Sequence, residues 1–304
     1  MSFEALSVLG ERLHQWILQA RTDAQNAHVP LYELDWFVQG VSDLSQTDLS
    51  LELYRGRGAV PLSHSLDWLT QQWQRRLTER VPVQYLVGET PWRDLMLTVT
   101  PDVLIPRPET ELMVDIVQAW AEGQGERFSS QVWADLGTGS GAIAIALAKA
   151  FPHAQILAID ISAAALEIAY QNSHRNKINN IKFYQGSWFE PISDWQSNLS
   201  GIITNPPYIP STTVLNLDPE VAQHEPHQSL DGGDDGLNDI RHLIAQAPKF
   251  LKPGGLWLTE HMEGQSEAIR DLLAQNHGYQ TIQPHQDLAG IDRFVAARFQ
   301  PGFS

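Results

Sequence analysis

The sequence predicts an α/β protein: a doubly wound, mostly parallel sheet preceded by a small all-helical N-terminal domain. Three observations carry this. From Gln131 onwards β-rich runs alternate with helical runs, the order that sets parallel strands side by side with helices on both faces. Two of those strands lead straight into loops of ligand-binding type, at the carboxyl ends where open α/β sheets hold their ligands. Residues 1–85, by contrast, keep a helical period.

The 304 residues suffice for two domains with separate cores, expected at 1–85 and 112–304 with a hairpin linker over 86–111. In the first, Leu6, Leu9, Leu13, Trp16 and Ile17 share one face of a helical stretch beginning near Phe3, and Leu66, Leu69, Trp73 and Leu77 repeat the spacing. Asp35 and Thr47-Asp48 read as caps, and Gly56-Arg57-Gly58 as a helix stop. Leu95, Leu97 and Val99 alternate as in a half-buried strand of the hairpin. Proline followed by acids in Ile105-Pro-Arg-Pro-Glu-Thr-Glu111 suits a first helical turn. Strands are then expected at 132–136, 155–159, 181–184, 201–204 and 255–259, with helices over 141–151 and 163–172 and another from Leu237.

With 42% hydrophobic and 18% charged residues the composition is that of a globular chain, not a disordered one. No apolar run approaches the length that crosses a bilayer, and Met-Ser-Phe-Glu-Ala lacks the basic start of a leader, so a cytoplasmic protein away from membranes is expected. Cysteine is absent, which excludes disulfides and thiolate metal sites and fits a reducing compartment. The net charge of -16 repels a polyanion at long range and disfavours nucleic acid as substrate. Arg75, Arg76, Arg80 and Arg93 read as a solvated helix face. His224 and His227 flank Pro226 without a third ligand at suitable spacing, and Asp231-Gly-Gly-Asp-Asp-Gly236 lacks the terminal Glu of a calcium loop, so no metal site is expected; the latter reads as a turn.

Asp135-Leu-Gly-Thr-Gly-Ser-Gly141 lies between a strand and a helix, where a glycine-rich turn lets a ligand approach the backbone. Alone it is ambiguous, because Gly137, Gly139 and Ala142 also fit a dinucleotide fingerprint. Asp160, ending the next strand, either accepts from a ribose diol or caps a helix. Trp188 either packs on an adenine ring or fills the core. Asn205-Pro-Pro-Tyr208 separates the possibilities. Its prolines donate no hydrogen bonds, so the loop offers carbonyl oxygens beside the Asn205 side-chain oxygen, and acceptors without donors suit an NH2 group on a planar, conjugated atom. Tyr208 is placed to pack against such a group; the other reading is a stiff turn capped by asparagine. Glu260-His261 either lines the pocket or is an ordinary loop.

Together with Pro82-Val-Gln-Tyr-Leu-Val-Gly88, the 105–111 run, His224-Glu-Pro226, Leu230-Asp-Gly-Gly233 and Asp287-Leu-Ala-Gly-Ile-Asp-Arg293, these motifs resemble the release factor glutamine methyltransferases over nearly the whole chain. The resemblance implies a class I S-adenosylmethionine-dependent methyltransferase fold. It implies that Gly137, Thr138, Gly139, Ser140 and Gly141 hold the methionine part of S-adenosylmethionine, Asp160 its ribose and Trp188 its adenine. Asn205 is implied to touch cofactor and substrate, and Pro206 to accept from a glutamine amide; Asn205, Pro206 and Tyr208 are the implied catalytic residues, with Pro207 completing the substrate ledge. The implied reaction methylates the glutamine of a Gly-Gly-Gln loop in class 1 peptide-chain release factors at N5, leaving S-adenosylhomocysteine, with the helical domain docking the partner rather than serving stability alone. Relatives often carry an acid where this chain has Ser187, whose hydroxyl replaces a carboxylate contact to the adenine amino group only weakly. Four other readings compete. A ribosomal-protein glutamine methyltransferase shares the Asn-Pro-Pro-Tyr logic, although Pro108-Glu109-Thr110 favours the release factor. A DNA or RNA exocyclic-amine methyltransferase needs a basic stripe that is not apparent. A binding module without turnover is set against the presence of every chemistry-bearing position, and nothing in the Asn205 loop suits the hydride transfer of a dehydrogenase.

Overall fold

A computed structural model describes residues 6–124, 131–276 and 278–301, so Phe3 and the first five residues lie outside the described residues. The chain divides into two compact units, Met1–Glu89 with Asp218–His224, and Thr90–Leu217 with Glu225–Ser304.

The small unit contains the helices Gly10–Asn26, Leu31–Val41, Gln46–Ser50, Leu66–Thr78 and Val83–Val87. The first buries Leu13, Ile17, Ala20 and Ala24, a single helical stripe. Leu6 and Leu9 leave that stripe and are exposed. Leu6 lies instead in β1 (Leu6–Val8), paired antiparallel with β2 (Val60–Leu62), so the expectation of an all-helical unit is corrected. Pro61 explains the strand: without an amide hydrogen it breaks a helix, yet it is tolerated on an edge opposite Ser7. Two caps also move. Pro30 precedes the second helix, leaving Asp35 inside it. The third opens on a capping box, in which Asp48 N donates to Ser45 Oγ at 3.1 Å and Ser45 N donates to Asp48 Oδ2 at 3.0 Å, rather than on Thr47.

Arg76 overturns the solvated-face reading. It shares a buried stripe with Leu69 and Trp73, and its side chain is 3% exposed. Glu33 takes its Nε and Nη2 at 2.5 and 2.9 Å, and Glu220 lies 2.8 Å from its Nη1. A buried guanidinium requires such partners, since an unpaired charge there is costly. Arg75, by contrast, pairs with Glu79 at the surface.

β3 (Glu89–Trp92), which belongs to the large unit from Thr90 on, and β4 (Leu95–Thr98) form the expected hairpin, with Leu95, Leu97 and Val99 buried. A 3-10 turn over Glu109–Glu111 then leads into the helix Leu112–Gln124. The main sheet comprises β5 (Val132–Leu136), β6 (Gln155–Asp160), β7 (Ile181–Gln185), β8 (Leu199–Thr204), β9 (Leu251–Glu260), β10 (Tyr279–Gln286) and β11 (Asp292–Phe299). Their spatial order is β10-β11-β9-β8-β5-β6-β7, parallel from β9 through β7 and antiparallel at β10 and β11. The alternation along β5 sends Trp133 to one apolar layer and Ala134 and Leu136 to the other. Trp133 fits because Gly201 on β8 has no side chain; a Cβ there would stand 2.2 Å from the indole. The chain steps from β5 to β6 and β7 on one side, then returns to β8 on the other. The direction of winding therefore reverses between β5 and β8, where doubly wound sheets open a crevice at the strand carboxyl ends. Among the described residues no helix is long and apolar enough to cross a membrane.

Candidate active site

That crevice is a cleft of about 500 Å³, walled by both loops that the sequence singled out. Gly137 and Gly139 line it from the loop after β5, Asp160 from the end of β6, Ser187 and Trp188 from the end of β7, and Asn205 and Pro207 from the loop after β8. Gly137, Gly139 and Gly141 all take positive φ. At Gly139 the space where a Cβ would project is open, so a ligand can approach its backbone. The amides of Gly137 and Thr138 both donate to Ile159 O at 2.9 Å, which fixes the loop to the neighbouring strand.

Thr138, Ser140 and Gly141 build this turn from behind rather than lining the cleft. The Thr138 hydroxyl donates to Asp135 Oδ2 at 2.6 Å, Ser140 O accepts from Asn172 Nδ2 at 2.9 Å, and Gly141 is the N-cap of the helix Ala142–Ala150. Asp160 accepts from Gly139 N and Ser162 N at 2.9 Å each. The cap of the following helix is Ser162, which removes the capping reading of Asp160. Trp188 has a φ of 49°, an unusual value for a bulky residue. Its ring stands 3.4 Å from where a Gly137 Cβ would be, and its indole is hydrogen-bonded to Asp239. It is neither a fully buried core residue nor a free surface one.

The Asn205 loop is held by groups far away in sequence. Tyr208 O accepts from Gln265 Nε2 at 2.9 Å, so this carbonyl is consumed, whereas Asn205 Oδ1, Pro206 O and Pro207 O meet no donor among the described residues; Asn205 and Pro207 line the cleft, while Pro206 is buried and neither it nor Tyr208 is part of the wall. Gly232 and Gly236 pack against the loop from below: Cβ atoms there would lie 2.8 Å from Pro207 O and 2.2 Å from Tyr208 O. The 231–236 run is thus a buttress as well as a turn. Arg107 Nη2 donates to both oxygens of buried Glu225, at 2.8 and 2.9 Å, which ties the Pro-Arg-Pro run to Glu225-Pro226 across 118 positions; Pro226 also lines the cleft.

Glu260 is fully buried at the end of β9, so it is not an ordinary loop residue. Its Oε2 accepts from Thr110 Oγ1 at 2.7 Å and its Oε1 from the Tyr208 hydroxyl at 3.0 Å. Burial pushes its carboxyl up to about 7 against the opposing effect of these bonds, and burial with the nearby Glu260 charge raises the Tyr208 phenol, which stays neutral. Asp135, also fully buried, is driven to about 7 by burial, with Thr138 and the Ala144 amide pulling the other way.

Sequence reasoning missed Thr110, Asp135, Asp239 and Gln265 as site residues, and for Glu260 it left pocket wall and ordinary loop both open; Glu260 is neither, lying buried behind the cleft wall. Thr110 and Asp135 sat inside quoted motifs without a role of their own, and Asp239 is indistinguishable in sequence from an acid complementing a helix N-terminus. Nothing local marks Gln265 or the bonds that Glu260 makes, because their partners come from other segments.

Comparison with known proteins identifies this arrangement. A family model described as a methyltransferase domain matches residues 129–291, more than half of the chain. The release factor glutamine methyltransferase of Synechocystis sp. is 45% identical over 96% of this chain and 97% of its own. The chain belongs to the release factor glutamine methyltransferase family. The member from Thermosynechococcus vestitus is 42% identical over 95% of this chain and 99% of its own. Among solved structures, the hMettl16 catalytic domain in complex with MAT2A 3'UTR hairpin 6 superposes with a TM-score of 0.54 at 14% identity, covering 86% of this chain and 88% of that one. At that identity the likeness shows the fold alone, the class I methyltransferase fold. The chain is therefore a methyltransferase, and its glycine loop and its Asn-Pro-Pro-Tyr loop meet on one cleft.

Proposed function

We propose that this enzyme transfers a methyl group from S-adenosylmethionine to N5 of the glutamine in the Gly-Gly-Gln loop of class 1 peptide-chain release factors. The observation that carries the reading is the shared cleft: the glycine loop with Asp160 and the acceptor loop at Asn205 face a single cavity. Its charge supports the cofactor. Asp102, Asp160 and Asp239 line it, and no lysine or arginine is among the lining residues. Such a wall suits a ligand carrying an ammonium and a sulfonium and repels a pyrophosphate, by about 3 kcal/mol for each pair of like charges about 5 Å apart at an effective dielectric constant of about 20. That disfavours the dinucleotide alternative left open by the glycine spacing.

When bound, the cofactor supplies an electrophilic methyl on sulfur. The protein's task is to make an amide nitrogen nucleophilic. That nitrogen's lone pair is delocalised into its carbonyl, and two acceptors, Asn205 Oδ1 and Pro206 O, fit its two hydrogens and favour pyramidal geometry. As the N–C bond forms and the S–C bond breaks, the nitrogen becomes acidic and its surplus proton passes to water. No strong base is needed beforehand. Tyr208, pinned by Glu260, supports the loop and excludes water on that side.

The small unit is proposed to help hold the release factor; exposed Leu9, Tyr32, Leu51 and Leu53 give it apolar surface for a protein partner. The reaction is placed in the cytoplasm, where translation terminates. Incubation with labelled S-adenosylmethionine and a release factor, beside the same factor carrying Gln→Ala in its Gly-Gly-Gln loop, tests the target. Label is expected on the unaltered factor only, and equal labelling of both contradicts the assignment.

A further inference from the structure

The Asn205 carboxamide has two faces of opposite polarity, and only one is useful. With Oδ1 toward the substrate it accepts from an amide NH2; turned over, it would present two N–H donors to a group that is itself a donor. What holds it the useful way round is the direction of a hydrogen-bond chain. Thr110 Oγ1 carries one proton and donates it to Glu260 Oε2 at 2.7 Å. Toward Asn205, 3.3 Å away, the hydroxyl can therefore only accept, and only Nδ2 can face it. Ionised Glu260 has no proton to return and can only accept, taking the Tyr208 hydroxyl on its other oxygen. Three segments, 150 positions apart at the extremes, meet in this chain.

We propose that Thr110 and Glu260 are positioning residues that set the rotational sense of the Asn205 carboxamide, so that Oδ1 is held toward the incoming glutamine amide. Neither touches a reacting atom. The inference rests on the reading of Asn205 as the amide acceptor and adds what fixes its orientation. If the Thr110 hydroxyl is lost, Nδ2 loses its partner, and both orientations of the carboxamide become available. If Glu260 no longer accepts, the Thr110 proton is free to turn to Asn205 and draw Oδ1 inward. Either way the enzyme loses part of its population of competent sites without losing its cleft.

The test compares Thr110→Val, which removes the hydroxyl at nearly constant shape, with Thr110→Ser, which keeps it. Single-turnover and steady-state methyl transfer are measured on the full-length enzyme, with cofactor affinity by calorimetry and folding by thermal denaturation. Thr110→Val should lower kcat by about threefold to tenfold, leaving KM for the release factor and cofactor affinity within about twofold, whereas Thr110→Ser should retain most of kcat. Thr110→Ala serves where Thr110→Val does not fold, with the same expectation. Unchanged kcat in a folded hydroxyl-free variant overturns the proposal, and so does an equal loss in the serine variant. Asn205→Ala separates the two levels: if it too transfers methyl normally, the reading of Asn205 itself fails, whereas its inactivity beside an active Thr110→Val sinks only the orientation mechanism.

Discussion

Asp135 has no solvent exposure, and its Oδ2 gathers the Thr138 hydroxyl and the Ala144 amide at 2.6 and 3.0 Å while its buried Oδ1 has no partner. One carboxyl thus joins the glycine loop to the first turn of the helix behind it. Burial without full compensation favours the protonated form, hence the shift to about 7. The sign of the linkage follows. The unfolded chain releases this proton near pH ~4, the folded chain only near pH 7, so the folded state binds the extra proton between them. The associated stability is complete below about pH 4 and is lost as pH rises through about 7. Glu260, shifted in the same direction, adds to the trend. Asp135→Asn carries no such proton. Denaturant unfolding of both proteins without cofactor, at about pH 5 and about pH 8, should show the parent losing stability relative to the variant as pH rises. A difference independent of pH contradicts the assignment.

At the scale of elements, the acceptor loop is rigid because another loop lies under it. Gly236 has a φ of 76° and the space its Cβ would need is filled by Tyr208 O. Gly236→Ala must therefore displace the Asn205 loop, and a shift of about 1 Å in a reacting group costs up to a hundredfold in rate. Methyl transfer by Gly236→Ala should fall by about tenfold or more with cofactor affinity retained. Gly264→Ala is the control: its φ is likewise positive, at 88°, but nothing stands within 4 Å of its Cβ, so it carries the backbone strain without the clash. Equal effects of the two substitutions would refute the buttress. This element also shows where sequence reading stops. The strands and helices from Gln131 to Thr259 were legible because their periodicities are local, and the two ligand loops because strand ends in such folds bind ligands. The antiparallel β10 and β11 were not anticipated; β10 is mostly exposed and carries polar residues where alternation would otherwise show, as in Gln280, Gln283 and Gln286. The capping box at Ser45 was overlooked because its closing acid is Asp48, which was itself read as the cap. Arg76 and the role of Glu260 escaped for a different reason: a buried charge is explained only by partners that folding brings from far away.

For the molecule as a whole, acidity has two separate expressions. The net charge of -16 repels a polyanion at long range, and the acid-lined cleft suits a cationic ligand. The Arg76–Glu33–Glu220 cluster works at the same scale, since it anchors Asp218–His224 in the small unit although the flanking residues on both sides belong to the large one. His224 adds a contact of 2.7 Å from its Nε2 to Glu79 O. All of this frames the one event proposed above, the presentation of a planar amide to a pair of acceptors beside an electrophilic methyl. The most direct measurement is a crystal structure of the enzyme with S-adenosylhomocysteine and a peptide carrying Gly-Gly-Gln. The glutamine nitrogen should lie within about 3.2 Å of both Asn205 Oδ1 and Pro206 O and face the sulfur. A glutamine side chain bound elsewhere, or one whose nitrogen meets Asn205 Nδ2 instead of Oδ1, contradicts the account.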